Sequence, residues 1–156
     1  MNEDFPDSTS ESIEYGLEAA TVAFNSFRKL SGERRAIFLE TISGLLEHNT
    51  NEIISLADGE TSLGLPRLRM ELQRTVNESR LFAGLARSED WRESRSDKAE
   101  PDRIPIPKPG LQSDNLPLGP VVVIGACNFP LAISVVGTDT MSALAVGCPV
   151  IVKAHP

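Results

Sequence analysis

The fold is decided by Leu116–Pro156, which reads LPLGPVVVIGACNFPLAISVVGTDTMSALAVGCPVIVKAHP. Its first apolar run, Val121–Ile124, is short and β-branched, which is typical of a strand buried on both faces. The Ala-, Val-, Leu- and Met-rich segment Leu131–Val146 predicts a helix, and a second apolar run predicts a strand that ends at Lys153. The order of strand, helix and strand predicts one parallel βαβ unit with a right-handed crossover.

Two polar side chains come at the ends of the two predicted strands. Asn128 follows shortly after the first strand, and Lys153 ends the second. Ligands of parallel sheets bind at the carboxyl ends of the strands. We therefore expect Asn128 and Lys153 to lie on the same edge of the sheet, and that edge is the candidate site.

Each of these residues has a functional and a structural interpretation. The Asn128 amide can donate to the oxyanion of an acyl-transfer intermediate, or it can cap the helix that follows. The Lys153 ammonium can donate to the ribose or the 2′-phosphate of a dinucleotide, or it can extend from the strand end into solvent. The residues alone favour the structural interpretation in both cases.

The two cysteines, Cys127 and Cys148, lie in buried-looking sequence. Their number argues against a disulfide framework and favours a reducing compartment, so we expect a cytoplasmic protein. Cys148 is expected to be buried packing. His48 and His155 are far apart and no Cys/His ligand spacing occurs, so no metal site is predicted.

Composition argues against two classes of partner. The 156 residues carry a net charge of −7 without a basic stripe, so nucleic acid is not an expected partner. No apolar run approaches the roughly 20 residues of a membrane span, and the acidic start of the chain has no signal-peptide core.

Before the βαβ unit, residues 11–100 predict a bundle of about four helices, because apolar residues recur at spacings of three and four. Residues 1–10 are predicted to be disordered, 88–100 to be a loop, and the Pro-rich 101–118 to hold a possible β-ribbon of 103–106 with 111–116. The first helix is expected to have its N-cap at Ser10 or Ser12 and an inward face of Ile13, Leu17, Ala20, Phe24 and Phe27. The second helix is expected to turn Phe38, Ile42, Leu45 and Leu46 inward. The third helix is expected to run from Thr50 to Gly59, and the fourth from Pro66 to about Arg87.

Several short motifs resemble the aldehyde dehydrogenase superfamily. They are Gly119-Pro120 before the first strand, Asn128-Phe129-Pro130 after it, and Val152-Lys153 at the end of the second. The wider pattern resembles the branch that oxidises 2,5-dioxovalerate (α-ketoglutaric semialdehyde), through GACNFPLA from Gly125, GCP from Gly147 and KAHP from Lys153. The resemblance implies an α/β fold in which an N-terminal helical bundle leads into the first βαβ unit, residues 119–156, of a Rossmann-like cofactor domain.

The resemblance also assigns roles to residues. It implies that Asn128 is the oxyanion donor and that Lys153 binds the adenosine ribose of NAD or NADP. It places Ile124, Gly125 and Cys127 along the cofactor cleft, with Cys127 lining the cleft rather than attacking the substrate. Many NAD-using relatives carry a Glu where this sequence has Pro156, so use of NADP is expected.

The implied reaction is NAD(P)-dependent oxidation of a semialdehyde through a cysteine thiohemiacetal. The family's complete enzymes are several times longer, and their nucleophilic Cys and general-base Glu fall beyond Pro156. We therefore expect a homo-oligomer at full length and an incomplete, inactive cofactor domain in these 156 residues alone. The alternative is a truncated, catalytically inactive homologue that acts as an interaction or folding unit.

Overall fold

The structure is a computed structural model that describes residues 6–154. Residues 6–9 have no regular structure and are exposed, while the rest of the predicted disordered start lies outside the described residues. The elements in chain order are α1 (Ser10–Phe27), α2 (Gly32–His48), α3 (Thr50–Thr61), α4 (Leu65–Ser88), a 3-10 turn (Asp90–Arg92), β1 (Arg95–Asp97), β2 (Leu111–Ser113), β3 (Val121–Ile124), α5 (Thr138–Ala145) and β4 (Val150–Lys153).

The four predicted N-terminal helices form, with small errors at their limits. The hydroxyl of Thr9 caps α1 by accepting from the Ser12 amide at 3.1 Å. The N-cap expected at Ser10 or Ser12 is therefore wrong, because the observed cap lies one residue before Ser10. Gly59 does not end α3, which continues to Thr61 and stops where Ser62 takes a left-handed conformation. A helix tolerates one internal glycine at a cost of about 1 kcal/mol, so glycine alone is a weak stop signal.

The spacing of four and three on α4 predicts an inward face of Leu68, Leu72, Thr75, Ser79, Phe82 and Ala86. All are buried except Phe82, which is partly buried. The faces predicted for α1 and α2 are right only in part: Phe24 and Phe27 of α1 and Ile42 and Leu46 of α2 are partly buried, and the other large residues are exposed. On α2 the buried residues are Gly32, Arg35, Ala36, Leu39 and Ser43, whereas the predicted Phe38 and Leu45 are 44% and 58% exposed. On α1 only Ala20 is fully buried, and Ile13 and Leu17 are exposed.

Small residues explain why α2 turns a different face to the core. A Cβ on Gly32 would lie 2.1 Å from the carbonyl oxygen of Ala86, so α2 and α4 approach too closely there for any side chain. The close contact brings Ala36 and Leu39 inward and leaves the larger Phe38 outside. The prediction from periodicity rests on the spacing of large apolar residues, and that spacing carries no information about a close approach of two backbones.

One core joins α2, α4 and α5. It consists of Ala36, Leu39, Ala83, Ala86, Met141 and Ala145. Arg35 adds a polar link, because its Nε donates to the Ala145 carbonyl at 2.9 Å and its Nη2 lies 3.3 Å from Glu89. Burial is the main cause that lowers the pKa of Arg35 from its ordinary value, with Glu89 acting in the opposite direction. The bundle and the βαβ unit thus share their packing.

The βαβ unit forms with two differences from expectation. β3 and β4 pair in parallel, and Ile124 lies opposite Lys153. Val123 is buried, but Val122 and Ile124 are 56% and 70% exposed, so the strand is not buried on both faces. Side chains alternate across a strand, and Val122 and Ile124 fall on its more exposed face. The crossover helix predicted over Leu131–Val146 begins only at Thr138.

The Pro-rich region holds a β-ribbon with a different partner. β1 pairs antiparallel with β2, so the strand at Leu111–Ser113 was anticipated, but its partner is Arg95–Asp97 and not residues 103–106. Loop was therefore the wrong prediction for 95–97. All three residues of β1 are exposed and polar, so the sequence there shows no alternation of apolar and polar residues. Among the described residues, no helix is long and apolar enough to cross a membrane.

Candidate functional site

The carboxyl ends of the two parallel strands meet as the βαβ pattern predicts. The register pairs Ile124 with Lys153, so both strands end at the same edge of the sheet. Asn128 follows four residues after the end of β3 and is exposed, as is Cys127. This edge therefore presents an amide, a thiol and an ammonium group to solvent. It is the place where parallel sheets bind ligands.

Residues 125–137 are a series of turns that bond mainly to one another. The Ala126 amide donates to Ile133 at 3.0 Å, and the Thr138 amide donates to Ala132 at 2.9 Å. We call this segment the Asn128 turn. Its hydrogen bonds occupy the backbone groups that a longer helix would need, which explains why α5 starts late.

Two glycines allow the Asn128 turn to fold this tightly. A Cβ on Gly125 would lie 2.9 Å from the Ile133 carbonyl oxygen. A Cβ on the buried Gly137 would lie 2.4 Å from the Ala132 carbonyl oxygen. Both distances are shorter than a carbon and an oxygen tolerate, so a side chain at either position would displace the backbone of the turn.

Helix α4 holds the Asn128 turn from outside the βαβ unit. The carboxylate of Glu71 accepts hydrogen bonds from the backbone amides of Leu131 and Ala132, at 2.8 and 3.0 Å. One turn earlier, Arg67 donates to the main-chain carbonyl of Asn128 at 2.5 Å. The Arg67 guanidinium also lies 5.3 Å from the centre of the Phe129 ring. Two side chains of one helix thus contact both limbs of the turn.

A second contact from α4 lies farther along, at the start of α5. The Thr138 hydroxyl donates to Glu78, which also pairs with Arg74 at 2.7 Å. Partial burial raises the pKa of the Glu78 carboxyl, but the hydrogen bonds from Thr138 and Arg74 outweigh it and leave the pKa below its usual range. The carboxylate also lies at the amino end of α5, where negative charge is favourable.

The edge where β3 and β4 end is the expected cofactor site, and we call it the cofactor edge. Its residues have few partners. Lys153 is exposed, and its ammonium donates to the carbonyl of the next residue, Ala154, at 3.0 Å. Pro156, on which the expected use of NADP depends, lies outside the described residues. A cleft of about 570 Å³ lies along β3. Val122 and Ile124 of the strand and Asp139 of α5 are among the residues that line it.

The two cysteines differ in environment. Cys148 is 2% exposed, as predicted for a packing residue. Cys127 is exposed at the candidate site, so the expectation from buried-looking sequence was wrong for it. Both are free thiols. Within the described residues, no three His, Cys, Asp or Glu side chains cluster in a way that could hold a metal ion.

Arg67 and Glu71 are the residues of this site that sequence reasoning missed. They lie about 60 positions before the turn that they contact. A signal was present, because Glu71 falls between Leu68 and Leu72 on the buried stripe of α4. A charged residue on a buried helix face requires partners, and this indicates a polar contact with another element.

Fold and site together define a class of protein, and comparison with known families identifies it. The aldehyde dehydrogenase family matches over residues 2–156, and the chain belongs to that family.

Within the family, the chain is similar to enzymes for one semialdehyde. It is 46% identical over 143 residues to alpha-ketoglutaric semialdehyde dehydrogenase 2 of Azospirillum brasilense. This match covers 92% of this chain and 27% of the relative. It is 40% identical over 151 residues to alpha-ketoglutaric semialdehyde dehydrogenase of Acinetobacter baylyi. This second match covers 97% of this chain and 29% of the relative.

A solved structure supports the assignment to the aldehyde dehydrogenase family. A betaine aldehyde dehydrogenase variant from Staphylococcus aureus, in complex with NAD+, matches with a TM-score of 0.75 and 25% identity. The match covers 94% of this chain and 28% of that one. The chain thus spans less than a third of the length of the relatives that it matches. The predicted family and fold class are confirmed.

Proposed function

We propose that these residues are the N-terminal part of an NAD(P)-dependent aldehyde dehydrogenase that oxidises 2,5-dioxovalerate to 2-oxoglutarate. The observation that carries the proposal is the exposed Asn128 at the carboxyl end of β3, on a turn that α4 holds by hydrogen bonds. An oxyanion donor has to be accessible and fixed in direction before the reaction begins. The exposure of Asn128 and the hydrogen bond from Arg67 to its backbone carbonyl support this role.

Asn128 acts on the charge that develops at the aldehyde oxygen. When a thiolate adds to the carbonyl carbon, the C=O π bond breaks and the oxygen takes the electron pair. An amide N–H aimed at that oxygen stabilises the negative charge without releasing a proton. One such donor contributes about 3 kcal/mol to lowering the barrier. The thiolate belongs to the part of the family's enzymes that follows the residues described here.

The cofactor edge fits a dinucleotide. Lys153 is exposed and has its ammonium available to ribose hydroxyls or a 2′-phosphate, while the lack of a side chain on Gly125 allows the tight turn that follows β3. Ile124 lines the cleft along β3, and Cys127 is exposed three residues later, so both are accessible to a dinucleotide bound at this strand end. A bound NAD(P) would accept the hydride from the substrate carbon. The free thiols of Cys127 and Cys148 agree with a reducing, cytoplasmic setting.

The choice of substrate rests on the relatives. Two enzymes named for alpha-ketoglutaric semialdehyde match this chain at 46% and 40% identity over more than nine-tenths of its length. The substrate carries a carboxylate and a ketone besides its aldehyde, so a cationic or amide-lined pocket is required in the remainder of the enzyme.

The test is a steady-state assay of the full-length protein, with residues 1–156 in place, against a panel of aldehydes with NAD+ and with NADP+. We expect the highest kcat/KM for 2,5-dioxovalerate, and production of NADH or NADPH in equal amount to 2-oxoglutarate. Preference for an aldehyde without a carboxylate would contradict the substrate assignment. Absence of turnover with every aldehyde would favour the alternative of an inactive homologue.

A further inference from the structure

We propose that Arg67 and Glu71 of α4 are positioning residues that set the direction of the Asn128 amide. The inference rests on the proposed function, in which Asn128 is the oxyanion donor. It extends the site to the N-terminal helical segment, because the two side chains contact the backbone of the turn.

Glu71 is buried in a way that only its contacts with the turn explain. The residue is 6% exposed, and one carboxylate oxygen, Oε1, accepts from both Leu131 and Ala132. The other oxygen, Oε2, is buried without a hydrogen-bond partner in the described residues and lies 4.0 Å from Arg67. A buried polar oxygen without a partner is destabilising. The two hydrogen bonds that Oε1 accepts offset this cost, and they fix two adjacent peptide groups of the turn.

Arg67 acts on the other limb of the turn. It donates to the carbonyl of Asn128 itself and stacks on the ring of Phe129. The carbonyl of Asn128 and the amides of Leu131 and Ala132 are thus both fixed to α4. The direction of the Cα–Cβ bond of Asn128 follows from its backbone torsions, so holding its own carbonyl and the amides three and four residues later limits the positions that its side chain can reach. A misplacement of about 1 Å at a reacting group can reduce a rate by about 10².

Glu78 offers a matched control on the same helix. It also links α4 to the βαβ unit by a carboxylate, through the hydroxyl of Thr138, and its side chain is 22% exposed. Its partner starts α5, ten residues after Asn128. Removal of Glu78 therefore takes away a link of the same type without releasing the Asn128 carbonyl or the amides of Leu131 and Ala132.

The experiment is a double-mutant cycle in the full-length enzyme. We expect Glu71→Ala to lower kcat about tenfold or more while the KM for the cofactor changes less than about twofold. In the Asn128→Ala background the same change should cost less than about twofold, because the amide that it positions is gone. Glu78→Ala should change kcat by less than about twofold in either background. Glu71→Gln, which keeps an acceptor oxygen, should recover part of the rate.

Three results would overturn the proposal. They are an equal loss from Glu71→Ala with and without Asn128, a loss of rate from Glu78→Ala as large as that from Glu71→Ala, or no recovery by Glu71→Gln in a folded variant. If Glu71→Ala does not fold, Arg67→Met takes its place in the cycle, since the Arg67 side chain is 40% exposed and easier to replace. A wild-type protein without dehydrogenase activity would instead refute the proposed function, and the positioning role with it.

Discussion

The two strand ends of the candidate site are held in opposite ways. The turn after β3 is bonded within itself and is fixed to α4 through Arg67 and Glu71. The end of β4 carries Lys153, an exposed side chain whose ammonium bonds the carbonyl of the adjacent residue. A hydrogen bond to the next residue does not fix a long side chain in space. In the proposed enzyme, one end of the site is built before a ligand arrives, and the other would be completed by the ligand.

This difference corresponds to the two tasks that we propose. A group that stabilises a transition state contributes most when its direction is fixed in advance, because reorientation during the reaction would cost free energy. A group that binds a cofactor has to release it after each turnover, so a flexible cation is suited to it. The predictions below test the difference between the fixed end and the adaptable end, from the largest expected effect to the smallest.

Substitution of the fixed amide should have the largest effect on the rate. In the full-length enzyme we expect Asn128→Ala to lower kcat/KM by about 10²–10³, since the amide acts on charge that is present mainly in the transition state. The KM for the cofactor should change little. Steady-state kinetics with varied aldehyde and varied cofactor would separate the two quantities. A variant within about threefold of wild type would mean that Asn128 is a turn residue and no more.

Filling the space at the base of the turn should be the next largest effect. Gly137→Ala puts a Cβ where the Ala132 carbonyl oxygen is 2.4 Å away, so the turn has to shift. We expect a loss of about 1–3 kcal/mol in the free energy of unfolding, measured by urea denaturation of the full-length protein. Gly84→Ala is the control, because nothing lies within 4 Å of its Cβ on the exposed face of α4. It should raise stability by about 0.5–1 kcal/mol. Equal stability of both variants would contradict a tightly built turn.

At the adaptable end, the expected effect is on cofactor affinity. Lys153→Ala should weaken NADP about tenfold more than NAD, because the ammonium meets the charge of a 2′-phosphate only in NADP. We also expect the full-length enzyme to use NADP at least as well as NAD. Dissociation constants from cofactor fluorescence titration would measure both. Equal losses for the two cofactors would place the lysine away from the 2′ position.

The smallest effect concerns the pH dependence of stability. The lowered pKa of Glu78 means that its carboxylate stabilises the folded state above the ordinary pKa of 4.5 and that this contribution is lost as the pH falls through the folded value. Glu78→Gln should therefore be less stable than wild type at about pH 7, and the two should converge as the pH falls below the folded pKa of Glu78. Thermal unfolding across this range would show it. A difference that does not depend on pH would assign the effect to packing.

The sequence was a good guide where the pattern is local. The apolar runs at Val121–Ile124 and Val150–Val152 predicted the two strands, and the rule for parallel sheets predicted that both strands end at one edge. The apolar spacing on α4 predicted its buried residues. In each case the information lies within a few residues of the element concerned.

Predictions failed where a distant element decides the structure. Phe38 was expected inside, but the close approach of Gly32 to Ala86 turns α2 so that Ala36 and Leu39 face the core instead. The late start of α5 follows from the bonding within the Asn128 turn and from Glu71, which lies 60 residues earlier. Neither contact has a periodic signature in the sequence.

The hydrogen bond between Glu71 and Leu131 also has a consequence for the folding of the chain. It closes a loop of 60 residues, and contacts between residues so distant in sequence form slowly because the chain first loses the entropy of the open loop. Helices α2 and α4 can form and pack while the turn is still disordered. The site geometry is therefore expected to be among the last features to appear during refolding. Helical circular dichroism should recover before the amides of Leu131 and Ala132 become protected from hydrogen exchange.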